Sequence, residues 1–291
     1  MSVFKEILAT TRLGFPVTVG NVTMYPMESH YKDEQNFLDF KEEVNKGTVK
    51  VTELDNGASV DAVKVINSNR EAVLLLDGTH LEGAMQERTV NLSILIPRKS
   101  ELEIPVSCVE AGRWRPESKA FYTEGRLHFN RGRRGRHKSV SELLARRRSR
   151  NSDQREVWDS ISAKEAAMKT HSSTQSMGNI YETNKGIVEQ ITASINAAPN
   201  QNGALFAINR RIIGFDLFFN ENTLKSNLKQ LTESVAIDAI ELSYQRVIPS
   251  RRSVEEILNY FKQLKEDRYP GVGLGEDIRA YDERVSASAL I

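Results

Sequence analysis

Cysteine is nearly absent from this chain of 291 residues. Cys108 stands alone, so no internal disulfide can form, a usage that fits a reducing compartment. Long apolar runs are missing too. The longest, at 72–76, falls far short of the about 20 residues that span a bilayer. Lys5, Glu6 and Arg12 interrupt the N-terminal residues, where a secretory signal would need a continuous apolar stretch. These absences lead us to expect a cytoplasmic protein with no membrane partner. His30, His80, His128, His137 and His171 show no metal-ligand spacing, and the chain has no HExxH, paired CxxC or Asp-rich calcium loop. No cofactor is evident and no metal site is expected, although a carboxylate-bound Mg2+ needs no sequence pattern and stays open. Gly271, Gly273 and Gly275 have neither the dinucleotide-binding spacing nor the Lys-Ser/Thr of a phosphate loop, and read as a connector.

What is present is an ordinary globular balance, 39% hydrophobic and 27% charged. That length can bury a core without staples. Net charge is +1, but it is unevenly distributed. Residues 126–150 hold nine arginines and one lysine against a single acid, Glu142, so this stretch is +9 and the remainder −8. We read it as a basic arm. Arg131, Arg133, Arg134, Arg136, Arg146, Arg147 and Arg148 can form a solvated face, dock on the acidic remainder of this chain or a second copy of it in a homo-oligomer, or contact nucleic acid through phosphate. Solvation or self-docking ranks first.

Hydrophobic spacing sets the expected elements. Residues 15–27, bounded by Pro16 and Pro26, read as an edge strand. Phe37, Phe40 and Val44 predict a helix over 33–46. Asp55-Asn56-Gly57 predicts a hairpin between 49–54 and 59–66. Val90, Leu92, Ile94 and Ile96 alternate with polar residues, as do Leu102, Ile104, Val106 and Cys108, so each strand buries one face. Keeping those faces together pairs 96 with 102, 94 with 104, 92 with 106 and 90 with 108. Downstream, Ser139 with Glu142 reads as a capping box. Asp153, Asn222 or Thr223, and Ser253 open further helices, and 204–218 forms another hairpin. The expected fold is α+β: an antiparallel β-rich N-terminal half with a helical C-terminal half packed on its sheet, in a single domain over 1–291.

Extending the 90–108 pairing outward places Arg88 opposite Glu110, with Glu82, Gln86 and Glu87 just beyond on one side and Arg113, Trp114 and Arg115 on the other. Guanidinium forks hold phosphate or carboxylate, an indole offers a stacking plate, and a carboxylate can act as acid or base. This mixture suits a nucleotide-like small molecule. Glu82 and Glu110 are the catalytic candidates, and Gln86, Arg88, Arg113 and Trp114 the ligand-binding ones. The plainer alternative is a cross-strand ion pair closing the core edge. Cys108 could be a nucleophile, but it continues the apolar row and reads first as a small buried hydrophobe.

Residues 77–91 and 104–114 resemble the signature of the ARG-and-rhodanese-phosphatase-superfamily-associated protein domain, with weaker similarity through 153–158, 203–218, Gly273 and Arg279. The family is named for the company its genes keep with ADP-ribosylglycohydrolases and rhodanese-like phosphatases. The resemblance implies a role in NAD or ADP-ribose metabolism, centred on Glu82, Gln86, Arg88, Glu110, Arg113 and Trp114. The basic arm departs from the family pattern, and the residues 289–291 read as the interior of a strand that the pattern would continue.

Overall fold

The computed structural model describes residues 3–30, 37–245 and 247–291. Both helices and strands are present, so the fold is α+β. The described chain divides into two compact units, one of residues 1–35 and 184–265, the other of 36–183 and 266–291.

The first unit is a sheet with helices. Its central strand, Val22–Glu28, pairs antiparallel with Val17–Val19, Arg12–Leu13 and Gly203–Ile208, and the last of these continues the sheet to Arg211–Leu217. The expected edge strand over 15–27 is thus two strands turning at Gly20, and the second lies inside the sheet. Pro26 is tolerated there because its carbonyl faces the short Arg12–Leu13 side, where it accepts the Gly14 N–H at 2.8 Å. The missing N–H would point to that same side, beyond the end of the short strand. Helix Glu221–Ile240 is capped by Asn220, whose side chain accepts the Thr223 N–H.

The second unit is built on a closed barrel. Its strands run in the order Ser100–Cys108, Ala62–Asn67, Val49–Thr52, Phe121–Tyr122, His80–Gly83 and Arg88–Val90, and the last returns to the first. Closure leaves no exposed ladder edge. The interior holds Val49, Val51, Val63, Val65, Ile104 and Val106, joined by Val73, Leu75, Ile94 and Ile96 from a small sheet beside it. The hairpin around Asn56-Gly57 is present, with Val49 paired to Asn67 and Thr52 to Lys64. Helix Phe40–Asn45 starts later than expected because Asp39 caps it; residues 33–36 of the expected helix lie outside the described residues.

The 90–108 hairpin is corrected. Ile94–Ile96 pairs with Val73–Leu75, Ser100–Pro105 pairs with 62–67, and only Val106–Cys108 meets Arg88–Val90. Val106 faces Val90 rather than Leu92, and Arg88 faces Cys108 rather than Glu110. Asn91 explains the break: buried, it accepts from the Ser107 hydroxyl at 2.6 Å and donates to the Arg150 carbonyl, and the chain leaves the ladder beyond it.

The basic stretch is helix from Asn130 to Arg147, with Val140 and Leu144 buried. Ser139 is inside that helix rather than at its start, and its hydroxyl accepts the Asp153 N–H. Asp153 caps Gln154–Met168 as expected. The Gln154 amide then bonds the Cys108 N–H and C=O, both at 2.8 Å, tying that helix to the barrel. A third sheet, Glu266–Pro270, Glu276–Tyr281 and Ser286–Leu290, completes the unit.

Ile94 is fully buried in the barrel core. Ile94→Ala should lower the unfolding free energy by about 2–5 kcal/mol, read as a shifted denaturant midpoint. An unchanged midpoint would remove Ile94 from the core.

Candidate functional site

Strand His80–Gly83 carries the chemistry of one barrel end. His80 is fully buried, and its Nε2 lies 3.0 Å from Glu87 Oε2. Its Nδ1 lies 3.7 Å from Glu82 Oε1 and has no hydrogen-bond partner. Burial opposes charge on the imidazole, but Glu87 outweighs it and the His80 pKa is raised. Burial likewise pushes Glu87 up, yet His80, the Ser176 hydroxyl and the Gly178 N–H together hold it below the usual carboxylate range. Ser176 donates to both Glu87 oxygens, at 2.8 and 2.9 Å. A side chain on Gly178 would press on His80 and Glu87, so the start of helix Met177–Thr183 can approach them closely only without one.

Glu82 differs from its neighbour. Burial raises its pKa, and His80 and Arg126 only partly offset that. Its oxygens receive a long bond from the Glu124 N–H at 3.4 Å and sit 4.0 Å from Arg126 Nη1. Arg126 is itself committed to Glu124 and Glu182. Half-exposed Tyr122 pairs across the strand from Glu82. Two carboxyls flanking one imidazole are thus pushed apart in acidity, an arrangement that suits acid/base work.

The residues expected at the hairpin mouth do come together, as a closed network. Arg88 is 0% exposed and donates to Gln86 Oε1, the Glu87 carbonyl and the Ser59 carbonyl. The Gln86 amide donates to the Glu110 carbonyl at 2.9 Å. Glu110 Oε2 accepts the Glu87 N–H at 3.1 Å and Arg113 Nε at 2.7 Å. Arg113 spends its remaining donors on the carbonyls of Gly83, Ala84 and Arg115. Gln86, Arg88, Glu110 and Arg113 therefore shape the loops around Glu82 and Glu87. Trp114 remains 50% exposed, with the Arg88 guanidinium 5.7 Å from its ring centre.

Cys108 lies inside this network. Its thiol is buried, bonded to Gln86 Oε1 at 3.2 Å, and burial raises its pKa, the opposite of an activated nucleophile. The basic helix divides in two. Arg133 and Arg136 are buried, whereas Arg131, Arg146, Arg147 and Arg148 are exposed and Arg134 is intermediate. Among the described residues no group of three His, Cys, Asp or Glu side chains could hold a metal ion. The sequence reading missed the His80–Glu87 pair and Ser176. Ser176 lies in the polar 171–176 loop, far along the chain from Glu87, and no spacing rule connects them.

The family model of the ARG and Rhodanese-Phosphatase-superfamily-associated Protein domain matches residues 10–291, and the chain belongs to that family. No curated protein and no solved structure matches it significantly.

Two outcomes follow from this geometry. Cys108 should resist thiol reagents in the folded protein and react once the chain is denatured; rapid labelling of native protein would contradict its burial. Glu82 carries a folded-state pKa above its unfolded value, so as pH rises the unfolded chain releases this proton first and stability falls. Glu82→Gln should therefore melt above the wild type at pH 8 and converge with it below about pH 4. A variant that melts lower at pH 8 would show the ionised carboxylate to be stabilising.

Proposed function

We propose that the barrel end bearing Glu82 and Trp114 binds, and acts on, an ADP-ribose- or NAD-derived nucleotide. The observation that carries this reading is Glu82 itself. It is a carboxyl with a raised pKa, beside a buried His80–Glu87 pair, on the same strand end that the Arg113 loop grips through Gly83 and Ala84. Burial raises it and His80 and Arg126 restrain it, so the group keeps its proton to higher pH than an ordinary carboxyl and can give one as well as take one. Its role is general acid/base at a ribosyl bond, protonating the departing group or taking a proton from water. Glu110 acts one step back: it holds the Glu87 N–H and the Arg113 guanidinium. Trp114, backed by Arg88, supplies a stacking plate for the base. The family's association with ADP-ribosylglycohydrolases supports the ligand class, though association is not mechanism.

A second reading rests on the exposed Arg146, Arg147 and Arg148 at the end of the basic helix. They give a non-enzymatic interaction module a phosphate-facing surface.

The test is a thermal-shift screen with ADP-ribose, NAD, AMP, ribose phosphates and short RNA. A ligand at 100 times its dissociation constant stabilises by about 2.7 kcal/mol. A nucleotide shift lost in Trp114→Ala, with turnover but not binding lost in Glu82→Gln, is the expected result. A shift with RNA alone, abolished by alanine at the three exposed arginines, would replace this reading with the second.

A further inference from the structure

Among the described residues five arginines are buried: Arg88, Arg113, Arg133, Arg136 and Arg279. Three of them turn the same guanidinium edge, Nε with Nη2, toward one carboxylate. Arg113 does so to Glu110, with both nitrogens at 2.7 Å. Arg133 grips Asp77 at 2.9 and 2.8 Å, and Arg279 grips Asp277 at 2.7 and 2.9 Å. Arg88 instead spreads over oxygen acceptors beneath Trp114.

Arg136 fits neither pattern. It is 3% exposed, and its Nη1 lies 2.5 Å from His128 Nδ1. Its Nε and Nη2, the edge that the other three commit to a carboxylate, meet no acceptor among the described residues. Asp77 is the acid whose charge reaches it, but both Asp77 oxygens are held by Arg133. Arg133 cancels Asp77 and Arg279 cancels Asp277. His128 and His137 are neutral, because burial and neighbouring cations push both well below their ordinary range. Among the described residues no carboxylate is hydrogen-bonded to Arg136. Burial pushes Arg136 down to about 10, so it stays protonated at neutral pH. Water can accept from an N–H but cannot neutralise a buried ion, whose uncompensated desolvation costs several kcal/mol.

We propose that Arg136 anchors a buried oxyanion site, taking two oxygens of a phosphate or carboxylate group on its Nε–Nη2 edge. Planar forks of this kind match both groups bidentately. His128 is the positioning residue: its neutral Nδ1 accepts from Nη1 and sets the direction of the open edge. The His128 N–H bonds the Gly78 carbonyl at 2.7 Å, two residues before His80, so the anchor belongs to the same segment as the Glu82 site. The inference does not depend on the proposed function.

The experiment is thermal unfolding of the full chain in anion-poor buffer, titrated with inorganic phosphate, sulfate and acetate, each against sodium chloride at matched ionic strength. The expected result is a saturable rise in Tm with at least one oxyanion that chloride does not reproduce. In Arg136→Lys, which keeps the charge but loses the fork, the apparent affinity should drop at least tenfold. In Arg136→Met the response should vanish. Should the lysine variant fail to fold, the methionine variant carries the comparison. Phosphorus NMR of the unaltered chain then reads bound phosphate directly. No saturable rise with any of the three anions, or an equal rise in both variants, would overturn the site. Arms with AMP and ADP-ribose identify the source. A nucleotide shift lost in Arg136→Lys but kept in Trp114→Ala assigns the anion to the nucleotide's phosphate. A shift with inorganic anions alone assigns it to a free ion and leaves the site standing while the nucleotide reading fails.

Discussion

The ion pair between Asp77 and Arg133 is the contact on which the second unit is arranged. Asp77 ends the Val73–Leu75 segment and Arg133 lies in the first turns of the Asn130–Arg147 helix. Two buried ions repay their desolvation only with good geometry and filled lone pairs. This pair has both: two parallel bonds, and a third from Nε to the Asp77 carbonyl at 3.1 Å. Gly78, at φ +87°, lets the arginine stem lie against the backbone, where a side chain would come within 3.1 Å of Arg133 Cδ. With the helix fixed in this way, His137 reaches Ser286 and Ser288 on the last strand. The third sheet of the unit is thereby held to the same helix.

The same demand, that a buried polar group be matched, sorts the candidate site into support and chemistry. Gln86, Arg88, Glu110 and Arg113 are matched almost atom for atom, so they act as structure. Glu87 is matched as an anion by His80 and Ser176. Glu82 is the carboxyl left incompletely matched, with one long hydrogen bond and one distant guanidinium. Its raised pKa is a direct consequence, and so is its suitability for moving a proton. The proposed chemistry thus falls to the residue that the surroundings satisfy least.

The sequence made some of this legible, for physical reasons that can be named. Period-two alternation identified the buried faces of 90–96 and 102–108, because a half-buried strand must alternate. It could not identify partners. A slip of two residues leaves every side chain on its original face, so Val106 against Val90 and Val106 against Leu92 look alike in the pattern. The break at Asn91 depends on a Ser107 hydroxyl and an Arg150 carbonyl that only the folded chain assembles. Which arginines of the basic helix would dock and which would stay solvated was not legible, for another reason. Composition records charge and not burial, and Asn130–Arg147 has no continuous apolar stripe to announce a packed face. Its buried side rests on Arg133, Arg136 and His137 as much as on Val140 and Leu144. Gln86, Arg88, Glu110 and Arg113 do meet in one region, since closeness along two adjacent strands survives a register slip. Which of them was free to react was invisible without the hydrogen bonds.

A last step follows from the segment between Asp77 and Asn91. Asp77, Thr79, His80, Glu82, Gln86, Arg88, Thr89 and Asn91 are all buried, beside a barrel core built of Val, Leu, Ile, Ala and Phe. Apolar residues of similar volume commonly serve stability as well as or better than buried ions and amides. A barrel selected for stability alone would not concentrate buried polar groups in one short segment and then need Arg113, Ser176 and Arg133 from three other places to satisfy it. The arrangement costs conformational freedom in each of those donors, and what it gains is fixed direction: His80, Glu82 and Glu87 are held in one relation to each other. Pre-set geometry of this kind is what acid/base chemistry requires, and it is the strongest physical reason for the function proposed at that end of the barrel.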